Sequence, residues 1–454
     1  MFLILSDDEL RTVFSHVDLQ DVGRIAKVCK KWWEISRDSS WLPNSISFNV
    51  RSSSSQQEDS VLPSWCHQLR YSRTTDGCMS NQIIFSKNIS SSVSQIVCSD
   101  HFTLILLENG RLYCQNKNAL YDADKHLFVE SPSFEVVETL VDVEIQSIAC
   151  TPPGYQHTLR EGGDHRSTYL AISKSGDLYS WGNSNKYLQL LRGDASMSTE
   201  SRRTPTKCEF NSGVKVLLAS CGRDFTAIQT TIENATIVQT VGKYNEEEAH
   251  SLTEHHILRN RTKTIVSGSF FCCALTTSND LYIWGDPEGK DYANGSLLGP
   301  YLHFSFRPIF MKSNIVHVCC SSYSAMATSE DGKTYTWGDN DGFCLGRNTE
   351  MRQLYHNVHK QLPFIGTVDY HTDAKCVGGS TCYPMCATIY DDNTLWFWGG
   401  MMWMFSKLGR TLQPECLISN FPVPYCYSIS NVTQSFNEIY VIFRKKNLVD
   451  LLPH

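Results

Sequence analysis

The sequence contains no Cys-x-x-Cys pair, no His-Glu-x-x-His, no Gly-x-Ser-x-Gly and no Gly-x-Gly-x-x-Gly. These absences remove the usual zinc, metalloprotease, serine-hydrolase and dinucleotide readings. Gly332-Lys333-Thr334 imitates the end of a phosphate loop, but the glycine needed five residues earlier is Ala327. The run from Asp339 to Gly342 imitates a calcium loop, yet its fifth position is Phe343. No cofactor and no metal is expected, nothing arranges His and Asp as a triad, and the chain reads as non-catalytic. A basic excess is also missing: 40 Lys and Arg stand against 47 Asp and Glu, a net charge of -7. That argues against a general nucleic-acid surface. No apolar run approaches the length that spans a bilayer. The opening MFLILSDDELR makes a poor signal peptide, since no basic segment precedes its apolar run and acid follows it.

Cysteine is not scarce. The 18 cysteines sit among apolar residues, as in the FFCCAL run Phe270–Leu275 and in Val316–Ser322. That distribution predicts reduced thiols serving as small core residues in a cytoplasmic or nuclear protein. Sequons such as Asn88-Ile-Ser90 then carry no sugar. With 454 residues and a hydrophobic share of 41%, the chain has room for one large repeat fold or two to three ordinary domains.

A repeat is visible. Trp-Gly closes an alternating run at Trp181-Gly182, Trp284-Gly285, Trp337-Gly338 and Trp398-Gly399. Six positions before each aligned site lies a turn-type residue: Gly110 before Asn116, Gly176 before Gly182, Asn279 before Gly285, Gly332 before Gly338 and Asn393 before Gly399. Aromatics two apart, such as Tyr282/Trp284 and Tyr335/Trp337, share one strand face. A second apolar strand lies upstream, so each unit reads as a β-hairpin. A small residue opens it: Ser99, Gly268 and Ser321 lie 17 residues before the aligned site, Gly222 and Gly379 lie 20 before. Six hairpins are countable, near 93–116, 145–182, 214–242, 264–285, 315–338 and 374–399. The tryptophans are expected to fill the wedges between neighbouring sheets, as in a propeller or solenoid.

These residues resemble the regulator-of-chromosome-condensation repeat, whose hairpin ends in Trp-Gly and runs on to Leu-Gly. The stretch Trp337 to Gly346 is the nearest match, whereas the first unit reads Cys114-Gln115-Asn116 and the third Thr240-Val241-Gly242. The resemblance implies a mainly β chain folded as a seven-bladed β-propeller. Its last blade would pair the Phe436–Lys446 segment with Ser45–Val50 or Asn81–Ser86 from the N-terminal side, leaving no long open edge.

The first forty residues follow a helical period through Leu10, Val13, Phe14 and Val17, then Leu19, Val22, Ile25 and Ala26. Ser6 with Glu9 makes a capping box. Three short helices bury little core alone, so a partner is expected to complete them. The pattern resembles the F-box, through Leu5, Phe14-Ser15-x-Val17, Asp18-Leu19, the run Val28–Trp33 and the late Trp41. Ser6 stands where that family usually has Pro. It keeps the helix start but lacks the Pro surface that meets the adaptor, which implies weaker binding.

The expected organisation is an F-box at 1–42, a linker with a closing strand at 43–85, the propeller at 86–447 and a tail at 448–454. An F-box joined to a propeller implies a substrate receptor of an SCF (cullin-RING) ubiquitin ligase. Its partners would be a Skp-type adaptor, through it a cullin, and a client protein, without nucleic acid or membrane. Leu5, Leu10, Val13, Phe14, Leu19 and Val22 are the implied adaptor-facing positions. The alternative that the resemblance leaves open is guanine-nucleotide exchange on a small GTPase. One segment departs from the repeat: after Gly399 an apolar run with Met401, Met402, Trp403 and Phe405 occupies an expected loop, and these four are candidate client contacts.

Overall fold

The computed structural model describes residues between 64 and 445; its longer gaps are 85–92, 154–166, 286–307, 347–365, 400–414 and 419–426. The described strands form seven four-stranded antiparallel sheets and one two-stranded pair. Sheet I holds Val93–Cys98, Phe102–Leu107, Leu112–Asn116 and Glu135–Val136. Sheet II holds Ile145–Cys150, Thr168–Ser173, Leu178–Gly182 and Thr206–Lys207. Sheet III holds Lys215–Cys221, Phe225–Ile232, Ala235–Tyr244 and Glu247–Glu254. Sheet IV holds Thr262–Ser267, Phe271–Thr276, Leu281–Gly285 and Ile309–Lys312. Sheet V holds Ile315–Cys320, Ser324–Ser329, Thr334–Gly338 and Gly366–Thr367. Sheet VI holds Cys376–Cys382, Met385–Tyr390, Leu395–Gly399 and Glu415–Ile418. These six, built from successive strands, are the blades of a β-propeller. Sheet VII joins Tyr427–Ser435 and Glu438–Lys445 to Ser64–Arg73 and Met79–Ile84.

The wedge expectation holds residue by residue. Trp181 packs with Leu104 and Leu106 of sheet I, and Trp284 with Phe225 and Val238 of sheet III. Trp337 packs with Phe271 and Leu275 of sheet IV, and Trp398 with Met326 and Leu345 of sheet V. Each indole therefore reaches back onto the preceding sheet. The turn residues named from sequence lie in the left-handed region, with φ of 83° at Gly110, 88° at Gly176, 62° at Asn279, 81° at Gly332 and 66° at Asn393. That geometry aims their backbone carbonyls outward at the next sheet. Ile145 N–H donates to Gly110 O at 3.0 Å, Val216 to Gly176 at 2.9 Å, Ile315 to Asn279 at 2.9 Å and Cys376 to Gly332 at 3.2 Å. A turn signal in one unit is thus the joint to its neighbour.

First strands abut one another in cyclic order from sheet I to sheet VII and back to sheet I. Sheet VII is tied on both sides: Ile429 N–H donates to Asn393 Oδ1 at 3.2 Å, and Thr433 Oγ1 donates to Ile96 O at 3.2 Å. Segments from both ends build this sheet, as expected, with one correction: the strand beside Glu438–Lys445 is Ser64–Arg73 and not Asn81–Ser86. Residues 81–84 belong to Met79–Ile84, one place further out, and Ser45–Val50 lies outside the described residues. A second correction concerns Gly379, which lies inside the first strand of sheet VI and opens no hairpin. A Cβ there would meet Met326 Cε at 2.3 Å and Ala387 O at 2.4 Å, so its need is close approach between sheets.

Candidate functional site

The described turns between first and second strands in sheets III, IV and V lie side by side, bridged by the bonds given below, and the end of the propeller they occupy is called the upper face. Gly222 and Gly268 open two of them, where their N–H groups donate to Phe225 O at 3.0 Å and Phe271 O at 2.8 Å. Ser321 opens the third and Ser99 its counterpart in sheet I, and both use their hydroxyls locally: Ser99 Oγ accepts from Phe102 N–H at 3.0 Å and Ser321 Oγ from Ser324 N–H at 3.1 Å.

Four of the upper turns are linked in a closed circuit. Thr151 Oγ1 donates to Gly222 O at 2.8 Å. Arg223 N–H donates to Ser269 O at 2.9 Å, and Ser269 N–H to Ser322 O at 3.0 Å. Ser322 Oγ returns to sheet II by donating to Pro153 O at 3.0 Å. Buried polar groups of sheets II, III, IV and V therefore satisfy one another, which makes this part of the rim rigid.

The side chains beside this circuit form a strip of cations and rings. The Arg223 guanidinium carbon lies 5.7 Å from the Phe270 ring centroid, and Phe270 lies 5.7 Å from Tyr323 at an interplanar angle of 34°. Phe270 and Tyr323 are both half-buried. Further out, Lys186 Nζ and Lys243 Nζ each lie 5.1 Å from the Tyr187 ring centroid. Lys243 N–H donates to Asp224 O at 2.8 Å, which joins this outer cluster to the turn that carries Arg223. The large apolar side chains exposed among the described residues, Val141, Leu217, Ile232, Ile257, Phe310 and Val377, are scattered over connections and strands.

None of the 13 described cysteines forms a disulfide. Burial pushes the Cys208 thiol up to about 11 and Cys319 to about 12, and raises Cys272, Cys320 and Cys386 well above the ordinary value. No group of three or more ligating side chains fit for a metal occurs among the described residues. No helix among them is long and apolar enough to cross a membrane. The sequence-derived candidates Leu5, Leu10, Val13, Phe14, Leu19 and Val22 lie outside the described residues, as do Met401, Met402, Trp403 and Phe405. The upper-face strip was not among the candidates. Its signal was available one or two places after three of the hairpin openers: Arg223 one after Gly222, Phe270 two after Gly268, Tyr323 two after Ser321.

The fold and strip define a propeller made of hairpin repeats with a rigid, partly aromatic rim. Comparison with known proteins agrees. The regulator of chromosome condensation (RCC1) repeat matches residues 175–229, a second model of that repeat matches 263–288, and the F-box domain matches 2–41. The chain carries an F-box followed by RCC1 repeats. It is 25% identical over 319 residues to the E3 ubiquitin-protein ligase HERC2 of Homo sapiens, across 68% of this chain and 6% of that protein. It is 22% identical to the ultraviolet-B receptor UVR8 of Arabidopsis thaliana, across 64% of this chain and 62% of the receptor. The chain therefore spans a small part of the first and under two thirds of the second. Among solved structures, Prp20p of Saccharomyces cerevisiae superposes with a TM-score of 0.60 at 15% identity, over 86% of this chain and 94% of its own. Human WBSCR16 superposes with a TM-score of 0.55 at 12% identity, over 84% and 99%. At these identities the likeness shows the fold alone.

Proposed function

We propose that the chain is the substrate-recognition subunit of an SCF ubiquitin ligase, acting in the cytoplasm, the nucleus or both. The observation that carries this reading is the F-box match at 2–41 ahead of a propeller. The F-box docks a Skp-type adaptor through Leu5, Leu10, Val13, Phe14, Leu19 and Val22, and the adaptor brings the cullin. In this reading sheet VII completes a seven-bladed ring. Support comes from a shared defect: the first strand of every sheet carries a register shift near its start, and sheet VII has it between Ile429 and Asn431. The propeller holds the client, with Met401, Met402, Trp403 and Phe405 as contacts. The chain does no bond chemistry itself. It raises the effective concentration of a client lysine near the ubiquitin thioester.

Affinity purification of the full chain from cells tests this. Adaptor and cullin are expected among the captured proteins, and their absence would contradict the proposal. A second reading, nucleotide exchange on a small GTPase, is supported by the likeness to Prp20p, whose structure is described with its binding to Gsp1p. Capture of a GTPase whose nucleotide release the purified chain accelerates would establish that reading instead.

A further inference from the structure

One charged group on the upper face is left unsatisfied by the fold. Arg223 Nε is buried and has no hydrogen-bond partner. Its guanidinium takes part in no ion pair among the described residues. A guanidinium offers five N–H donors in a fixed fork, and a buried donor without an acceptor is costly. The group is nonetheless held in place: its own N–H is bonded to Ser269 O at 2.9 Å, and its fork lies 5.7 Å from the centre of the Phe270 ring. Asp224, the next residue, is 8% exposed. Beyond it stand the ammonium groups of Lys186 and Lys243 around Tyr187.

A guanidinium with an unpartnered Nε set over an aromatic ring, with two more cations nearby, is complementary to carboxylates next to an apolar side chain. We propose that this strip anchors an acidic segment of the client; the inference rests on the receptor reading above. Arg223 takes one carboxylate with both arms of its fork. Phe270 and Tyr323 pack against the apolar neighbour, and Lys186 with Lys243 neutralises a second carboxylate. The turn circuit holds the anchor still, so little order is lost when the segment arrives.

The test uses the full chain, bound to purified Skp-type adaptor, and fluorescence anisotropy. The probes are a short fluorescein-labelled peptide of Asp and Glu around a central Leu, its Asn/Gln counterpart, and a version with phosphoserine among neutral residues. The acidic peptide is expected to bind, weakening as salt is raised. Arg223→Ala should weaken it about tenfold or more, and Arg223→Lys by less, because charge remains while the fork is lost. The double change Lys186→Gln with Lys243→Gln, at one exposed and one half-buried lysine, leaves the turn circuit intact and should weaken it about threefold. Equal binding of the Asn/Gln peptide, binding of the phosphoserine peptide alone, or no effect of any of these substitutions would overturn the proposal. Co-elution with the adaptor is measured on the same proteins. No binding of the acidic peptide by the unsubstituted chain, with adaptor retained, sinks this inference alone, and failure to co-elute with adaptor, with peptide binding retained, sinks the receptor reading alone.

Discussion

Trp284 is fully buried, and its ring touches the neighbouring sheet both through Phe225 and through the imidazole of His255, 5.0 Å away at 52°. Trp284→Ala should cost about 3 to 5 kcal/mol in denaturant unfolding, since neighbouring strands cannot collapse into so large a gap. His255 also binds Thr240 Oγ1 through Nε2 at 3.0 Å, and burial pushes its pKa from 6.5 down to about 4. His317, on the first strand of sheet V, is pushed to about 4 by the same cause. Between pH 6.5 and 4 the unfolded chain takes up protons that the folded one refuses. Stability is thus complete above 6.5 and falls as the pH drops, by about 2 to 3 kcal/mol per histidine at pH 4.5. Unfolding curves across that range should show the decline, and His255→Gln should flatten part of it. Where the Trp pattern fails, the reason is local. Gln115 replaces it in sheet I and accepts from the Tyr440 hydroxyl of sheet VII at 3.4 Å, so this seam carries a hydrogen bond at the position where sheets II, IV, V and VI place an indole.

Hairpins were the elements most open to reading, because their turns need special backbone and their faces need alternation. Gly338 shows how tightly this is drawn: its φ is 105°, and an added Cβ would lie 2.4 Å from Tyr323 O. Gly338→Ala should therefore destabilise by more than about 1 kcal/mol, through both strain at positive φ and the clash, whereas Gly213→Ala, also at positive φ but with open space around it, should cost less; unfolding midpoints measure both. Other elements left little trace. The fourth strands Glu135–Val136, Thr206–Lys207 and Gly366–Thr367 are two residues long, too short for any period to register. Spacing misled at Gly379 because small residues serve both turns and close approach. At Gly222 the longer offset has another source: the second and third strands of sheet III run from Phe225 to Ile232 and from Ala235 to Tyr244, longer than their counterparts. Arg223 was hidden for a different reason. A lone arginine in a turn acquires meaning only when Phe270, 47 residues later in sequence, is known to lie beneath it.

Across the whole molecule, the ends of the described chain meet in sheet VII, where Ser64–Arg73 lies between Glu438–Lys445 and Met79–Ile84. The side chains of Tyr440 and Ile442 join the core of sheet I, together with Val93 and Ile96. Closure of this kind removes two open edges at once. Deleting residues 427–445 should turn a single cooperative unfolding transition into a broader one at lower denaturant, as first strands at the breach lose a neighbour; an unchanged transition would show that the ring does not depend on sheet VII. The same architecture separates duties: the F-box precedes the propeller in sequence, and the cation-ring strip lies on the upper rim of sheets II to V. Changes at one should leave the other intact. Mixing the purified full chain with a Skp-type adaptor and weighing the product by light scattering tests the receptor account most directly. The account predicts a stable one-to-one complex that is abolished by Leu10→Asp with Phe14→Asp and unaffected by Arg223→Ala. Two species that stay separate under these conditions would contradict it.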